Sequence, residues 1–280
     1  MTNPMPLQLS NGNTANIMPH ASQPDSVNPA KPAASLKSTV SPIQVQESPC
    51  PPYLLNLTEK DKQTLTIPDE EFTRDSWETV KKRVQENKLD EFKRVPSQLR
   101  KYLEYNYNLK QSAEYGSVQN FILRERLRWD LASSPGGTSN HEEEGLFANA
   151  ENDVKILQND WPYGIDERIM HLVVWTKFPL EDDEITGDLK PEVRRQVDGF
   201  VRRTFTSAGG VPGVNVKAPK EDEVIWFKNW SSIKSIHSVE HFHVMLFDPD
   251  PEFVDHVTGG DVPLWKKRKH QQEAETMSSC

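Results

Sequence analysis

Cysteine is almost missing from this chain of 280 residues. Only Cys50 and Cys280 occur, and neither falls between Tyr53 and Leu264, where the apolar residues gather. A disulfide framework and a zinc–thiolate site are therefore excluded from that stretch, and the usage fits a reducing compartment. Long apolar runs are missing as well. No window approaches the roughly eighteen apolar residues of a membrane-spanning helix. The segment from Met1 through Pro52 has no basic start followed by an apolar run, so no secretory leader is expected. The sequons at Asn56-Leu57-Thr58 and Asn229-Trp230-Ser231 then read as chance matches, and Cys280 after Ser278-Ser279 is not a prenylation box. An excess of basic charge is the third absence. Net charge is −9 and the pI is near 5.5. A general nucleic-acid binder needs a basic face to neutralise phosphates, so this balance argues against one while leaving room for a local basic pocket. A cytoplasmic protein is expected, with nuclear entry as the alternative, because Lys266-Lys267-Arg268-Lys269 has the composition of an import signal.

Hydrophobic residues make up 35% of the chain, a low value whose deficit sits mainly in the first fifty residues. Residues 1–50 are rich in Pro, Ser, Asn, Gln and Ala without an apolar period and read as a disordered tail. A single folded domain is expected over 53–264, followed by a polar tail over 265–280. Its first part, 53–130, reads as helical. Thr58 can cap a short helix through Leu65. Asp75-Ser76-Trp77-Glu78 is a capping-box pattern ahead of Trp77, Val80 and Val84. Pro96-Ser97 opens a helix through about Leu109, and Ser117 caps a fourth with Val118, Phe121, Ile122 and Trp129 on its stripe. In that fourth helix Arg124, Arg126 and Arg128 could steer an anionic ligand, but their alternation with Glu125 predicts a solvated face. Arg94, Arg100 and Lys101 flank Tyr102, Tyr105 and Tyr107, a patch suited to packing between helices or to a partner.

After a Ser, Gly and Glu-rich break from Ser133 to Asn152, the pattern changes. The part from 153 to 264 reads as α+β. Met170 to Thr176 is a β-branched and aromatic run expected to form a buried strand. Leu189-Lys190-Pro191 starts a helix carrying Val193, Val197, Phe200, Val201 and Phe205. A flexible insertion is expected over 206–222. Val224 to Phe227 and Val239 to Phe247 complete the strands, and Pro249 to Leu264 reads as turns. The fold class is thus α+β, a helical N-terminal half followed by a small antiparallel sheet with a packed helix.

Chemistry concentrates on the last strand. Alternate side chains of a strand share a face, so His241, His243 and Met245 lie together and Phe242, Val244 and Leu246 face the other way. His171 heads the earlier strand and His237 precedes the histidine strand. Three readings stand. The first takes the histidines as half-buried strand residues paired to neighbouring carboxylates or backbone carbonyls. A metal site would draw on His171, His241 and His243 with Asp248 or Asp250. Phosphate chemistry would use a neutral imidazole as nucleophile and a neighbouring histidine to position it.

Three blocks, Trp161 to Asp166, His171 to Lys177 and Val239 to Leu246, resemble the fungal N-acetylglucosamine-induced protein family, as do Arg94 to Asn106 and Tyr115 to Leu127. The resemblance covers about Tyr53 to Leu264 and implies a link to the amino-sugar response, on a domain of unknown function. A more distant resemblance is to the histidine-triad nucleotide hydrolases and transferases. The parts that carry it are Asp160-Trp161-Pro162, His171 to Lys177, Leu189-Lys190-Pro191-Glu192, Asn229 and Ser238 to Met245. Aligned on Ser238-Val239, this likeness implies His243 as nucleophile, with His241 before it and Met245 in the third place. Shifted by two residues, it makes His241 central and His243 third. It implies His171, His241 and His243 as the catalytic set and Asn229, Lys177, Lys228, His237 and Trp161 as ligand-binding residues, with Trp175 or Trp226 as further aromatic walls. The expected partner is a small-molecule nucleotide or sugar phosphate, with no metal, no cofactor and no membrane. A non-catalytic binding protein is the alternative.

Overall fold

The computed structural model describes residues 50–129, 145–183, 185–207, 216–230, 234, 236 and 239–268. Residues 1–49 of the expected 1–50 tail, the first part of the Ser133–Asn152 break, the centre of the 206–222 insertion, His237 and the end of the polar tail lie outside them.

The helical half follows its capping signals. Thr58 accepts from the Asp61 backbone N–H and starts α1, Glu59–Leu65. In α2, Trp77–Gln85, the cap is Ser76, which accepts from Thr79 N. The expected Asp75/Glu78 box therefore does not form. Asp75 instead takes an ion pair from Arg83 at 3.0 Å. Val95-Pro96 opens α3, Pro96–Gln111, with proline at the first turn where its missing N–H is harmless. Ser117 caps α4, Val118–Phe121, which widens into a π-helical turn over Ile122–Leu127 and stops at Arg128 in the left-handed region. Widening rotates Arg126 inward. It is buried rather than solvated as its alternation with Glu125 suggested, and its guanidinium binds Asp160 and Asp261.

A helical turn, α5 at Ala150–Asp153, leads into β1, Val154–Gln158, a strand with no counterpart in the sequence reading. Then come β2, Ile169–Thr176; α6, Pro191–Phe205; β3, Val224–Phe227; and β4, Glu240–Phe247. The region expected as turns after Pro249 contains a helix, α7, Pro251–Thr258, capped by Asp250 and closed by Gly259 at φ +63°. Its prolines suggest turns, yet Pro251 occupies the first helical turn.

The four strands form one antiparallel sheet in the order β1-β2-β4-β3. The architecture is α+β. Leu172 and Val174 of β2 with Phe242, Val244 and Leu246 of β4 face α6 and α7, meeting Val197, Phe200, Phe205 and Phe253. Each such fully buried side chain is worth roughly 1.5–3 kcal/mol. The opposite face is covered by the helical half. At one end Met245 packs with Trp77, Val80 and Phe92; at the other Val173 and Trp175 pack with Leu127 and Ile236. Between these two apolar clusters lie the histidines.

Candidate functional site

Antiparallel pairing fixes where the imidazoles meet. The register sets His171 opposite Met245, Val173 opposite His243 and Trp175 opposite His241. Cross-strand partners share a face, so all three histidines point to the helical side, and His171 and His243 become diagonal neighbours. His171 Nε2 lies 3.0 Å from His243 Nδ1. The far nitrogen of His243, Nε2, lies 3.2 Å from Asn229 Nδ2. At the other end Asn159 Nδ2 lies 3.2 Å from His171 Nδ1 and 3.1 Å from Nε2. Asn159 is held firmly, since its Oδ1 accepts from Trp161 N at 2.9 Å and its backbone N–H donates to the His171 carbonyl. A buried polar chain, Asn159–His171–His243–Asn229, therefore runs under the helical half.

Aromatic rings clamp it. Tyr163 stacks on His171 at 5.2 Å and Phe227 on His243 at 5.0 Å. His171 and His243 are 3% and 6% exposed, too little for water to stabilise an imidazolium. Burial pulls His171 down to about 3, with the Arg94 charge adding to it. Burial also holds His243 well below the ordinary histidine range, helped by His171, His241 and Arg94. Both rings are neutral at physiological pH.

His241 is held differently. Its Nδ1–H donates to the Val239 carbonyl at 2.9 Å, so the proton of the ring's Nδ1–H tautomer is fixed there and the lone pair of that tautomer lies on Nε2. Its ring lies 4.5 Å from that of Trp175. His241, His243 and Asn229 line a cavity of about 210 Å³ between the sheet and α3–α4, walled by Tyr105, Trp161 and Trp175.

The cavity contains a residue that the sequence reading gave no site role. Arg94, half-buried at the mouth of α3, lines it. Arg94 Nε donates to the Trp161 carbonyl at 3.1 Å, and the guanidinium carbon lies 4.0 Å from the Tyr102 ring centre and 5.3 Å from that of Tyr163. Among the described residues no carboxylate pairs with it. Its nearness to Tyr102 in sequence was the available signal, but a basic–aromatic patch reads equally well as packing. Asn159, in the turn after an unexpected strand, gave none.

Of the residues the resemblance pointed to, Trp161, Asn229, His241 and His243 meet at the cavity, with His171 behind His243. Others do not come in. Lys177 Nζ sits 5.5 Å over the Trp129 ring. Lys228 is buried in ion pairs to Asp182 at 2.6 Å and Glu240 at 3.8 Å, lining a separate groove. Trp226 pairs with Val244, on the opposite face, and donates to Asp198. His237 lies outside the described residues. For the metal reading, Asp250 is spent capping α7 and Asp248 follows the far end of β4. Among the described residues no group of three or more His, Cys, Asp or Glu is arranged to hold a metal ion. Among the same residues no helix is long and apolar enough to cross a membrane.

This chain is similar to known proteins over much of its length. N-acetylglucosamine-induced protein 1 of Candida albicans is 27% identical over 197 residues, spanning 66% of this chain and 73% of that protein. An uncharacterized protein of Saccharomyces cerevisiae is 25% identical over 181 residues, spanning 62% and 79%. A crystal structure of HTC1 superposes with a TM-score of 0.48 at 22% identity, covering 68% of this chain and 98% of that one. Residues 76–247, from the cap of α2 to the end of the histidine strand, match the family described as protein of unknown function, DUF3605. The chain belongs to the DUF3605 family.

Proposed function

We propose that this is an intracellular protein of the N-acetylglucosamine response whose cavity carries out histidine-triad-like nucleotidyl hydrolysis or transfer, with His241 as the nucleophile. The amino-sugar context comes from similarity to the Candida albicans N-acetylglucosamine-induced protein. The observation that carries the chemistry is the Nδ1–H bond from His241 to the Val239 carbonyl. It sets the tautomer that keeps a lone pair on Nε2, the atom a phosphoryl nucleophile needs. His243, the alternative nucleophile, is bonded through its two ring nitrogens to His171 and to Asn229 and is the middle member of the buried polar chain. Its role here is to position.

In the first step His241 Nε2 attacks phosphorus of a phosphoanhydride. The N–P bond forms as the P–O bond to the leaving phosphate breaks, and the leaving oxygen departs with the electron pair. Water, or a sugar hydroxyl in the transferase version, then attacks phosphorus, loses its proton and releases the imidazole. Met245 has no share in this: it is fully buried against Trp77 and Val80. Asn229 and Arg94 are the donors placed to meet charge developing on phosphate oxygens.

The test uses purified full chain and nucleotide sugars labelled at either phosphate. An acid-labile protein adduct and a released product are expected, both lost in His241→Gln. Absence of adduct and turnover in the wild-type protein would leave the second reading, a non-catalytic ligand-binding protein, which the aromatic-walled cavity also suits.

A further inference from the structure

One buried polar atom of the cavity is unmatched. Asn229 is 6% exposed, and its Oδ1 has no hydrogen-bond partner among the described residues. An orphaned amide atom at that depth costs about 1–3 kcal/mol unless something outside the protein meets it. Which amide atom faces the cavity follows from counting protons along the histidine chain. Trp161 N–H can only donate, so Asn159 must present Oδ1 to it and Nδ2 to His171. Asn159 Nδ2 reaches both ring nitrogens of His171, and its donation to Nδ1 is the choice that leaves Nε2–H to donate to His243 Nδ1. The neutral His243 ring then carries its proton on Nε2, and that proton needs an acceptor, which Asn229 supplies by turning Oδ1 towards it. Amide oxygen and nitrogen are interchangeable in placement, so this costs nothing sterically. The opposite polarity leaves both His171 Nδ1–H and Asn229 Oδ1 without a complementary partner. The satisfied arrangement points the Asn229 NH₂ into the cavity as a donor.

A second, independent group faces the same space. Arg94 lines the cavity with its Nε bound to the Trp161 carbonyl and its plane near the Tyr102 and Tyr163 rings, which fixes the guanidinium while no carboxylate among the described residues neutralises it. The charged residues lining the cavity are three cations, Arg94, Lys110 and Arg126, and one carboxylate, Asp160. Arg126 already serves Asp160 and Asp261 and Lys110 is exposed on the last turn of α3, so Arg94 is the cation held in place for an incoming anion.

We infer that Arg94 and the Asn229 amide, both lining the cavity, form an anion receptor for the phosphate of a phosphorylated sugar whose ring rests on the aromatic wall of Tyr105 and Trp161. The inference names the ligand class for the site proposed above and rests on its being a ligand site. A planar guanidinium matches phosphate oxygens with two parallel donors, and the two neutral histidines below add no competing charge.

The experiment is titration calorimetry on the full chain with a hexose 6-phosphate, inorganic phosphate and the unphosphorylated hexose, at low and high salt. Expected are binding of the sugar phosphate, weaker binding of phosphate, no measurable binding of the hexose, and affinity that falls with salt. Arg94→Gln keeps the bond to the Trp161 carbonyl and removes the charge, and should weaken the sugar phosphate about 10- to 100-fold. Asn229→Asp keeps an oxygen for His243 and turns a carboxylate oxygen towards the ligand, and should weaken it at least as much. Equal binding of hexose and hexose phosphate, no binding of either, or affinities within twofold of wild type in both variants would overturn the inference. If Arg94→Gln does not fold, Asn229→Asp and the salt series on the wild-type protein decide. Turnover through His241 that is insensitive to Arg94→Gln would defeat this inference and leave the catalytic reading standing. Arg94-dependent binding without turnover would do the reverse.

Discussion

Replacing Arg126 with methionine should remove a large part of the stability of this chain, and by an amount that depends on pH. The guanidinium is 7% exposed and makes three short bonds: Nε to Asp160 Oδ2 at 2.8 Å, and Nη1 and Nη2 to the two oxygens of Asp261 at 2.8 and 2.9 Å. Methionine keeps most of the apolar stem and strands two carboxylates whose side chains are 17% and 9% exposed. Breaking a buried pair from one side costs about 3–5 kcal/mol, because the other charge stays behind uncompensated. For a domain of this size that is a fall in melting temperature of about 6–20 °C. The pH sign follows from Asp160, whose carboxyl is raised above its ordinary value by burial, against the lowering effect of Arg126 and the Leu264 N–H. A carboxyl raised in the folded state is protonated more readily there than in the unfolded chain, so its contribution to stability falls as pH rises through that range. Without Arg126 it rises further. The gap between wild type and Arg126→Met should therefore be widest near pH 7 and narrow towards pH 4.5, as the stranded Asp160 carboxyl takes up its proton. Urea unfolding of both proteins at the two pH values measures it. A loss under about 1 kcal/mol at pH 7, or a loss equal at both pH values, would refute the reasoning.

The buried histidines should make the wild-type protein acid-labile: with His171 lowered to about 3 and His243 well below its usual value, both stay neutral when folded but take up protons when unfolded. Stability is then full above about pH 6.5 and falls below it by about 1.4 kcal/mol per pH unit for each histidine; ring-proton NMR signals of either residue titrating near 6.5 would contradict this. Met245 packs in the apolar cluster under α2 and not at the cavity, so Met245→Leu should cost less than about 1.5 kcal/mol and leave sugar-phosphate affinity within twofold of wild type. A tenfold change in affinity with an unchanged urea midpoint would put Met245 in the site.

How much of this was legible beforehand depended on whether the information was local. The caps at Thr58 and Ser117, the proline starts of α3 and α6 and the apolar stripe from Val193 to Phe205 are written within a few residues and form as read. Period-two alternation likewise put His241, His243 and Met245 on one face of β4, away from Phe242, Val244 and Leu246. Where two local signals compete, reading failed: Ser76 displaced Asp75 as the cap once Arg83 claimed Asp75, and Pro251 began a helix rather than a turn.

The site itself is mostly a tertiary product. By itself the sequence determined a strand with two imidazoles side by side, because side-chain direction in a strand follows from backbone geometry alone. Only the fold decided that β2 lies antiparallel to β4 in the register that brings His171 to His243, and that the segment after β1 delivers Asn159 to one end of that pair while the segment after β3 delivers Asn229 to the other. Only the fold also withdrew Lys228 into a pair with Asp182, 46 positions away, and left Arg94 facing the cavity. Charges separated by tens of residues pair or stay apart according to how the layers stack, and no short window of sequence contains that distance.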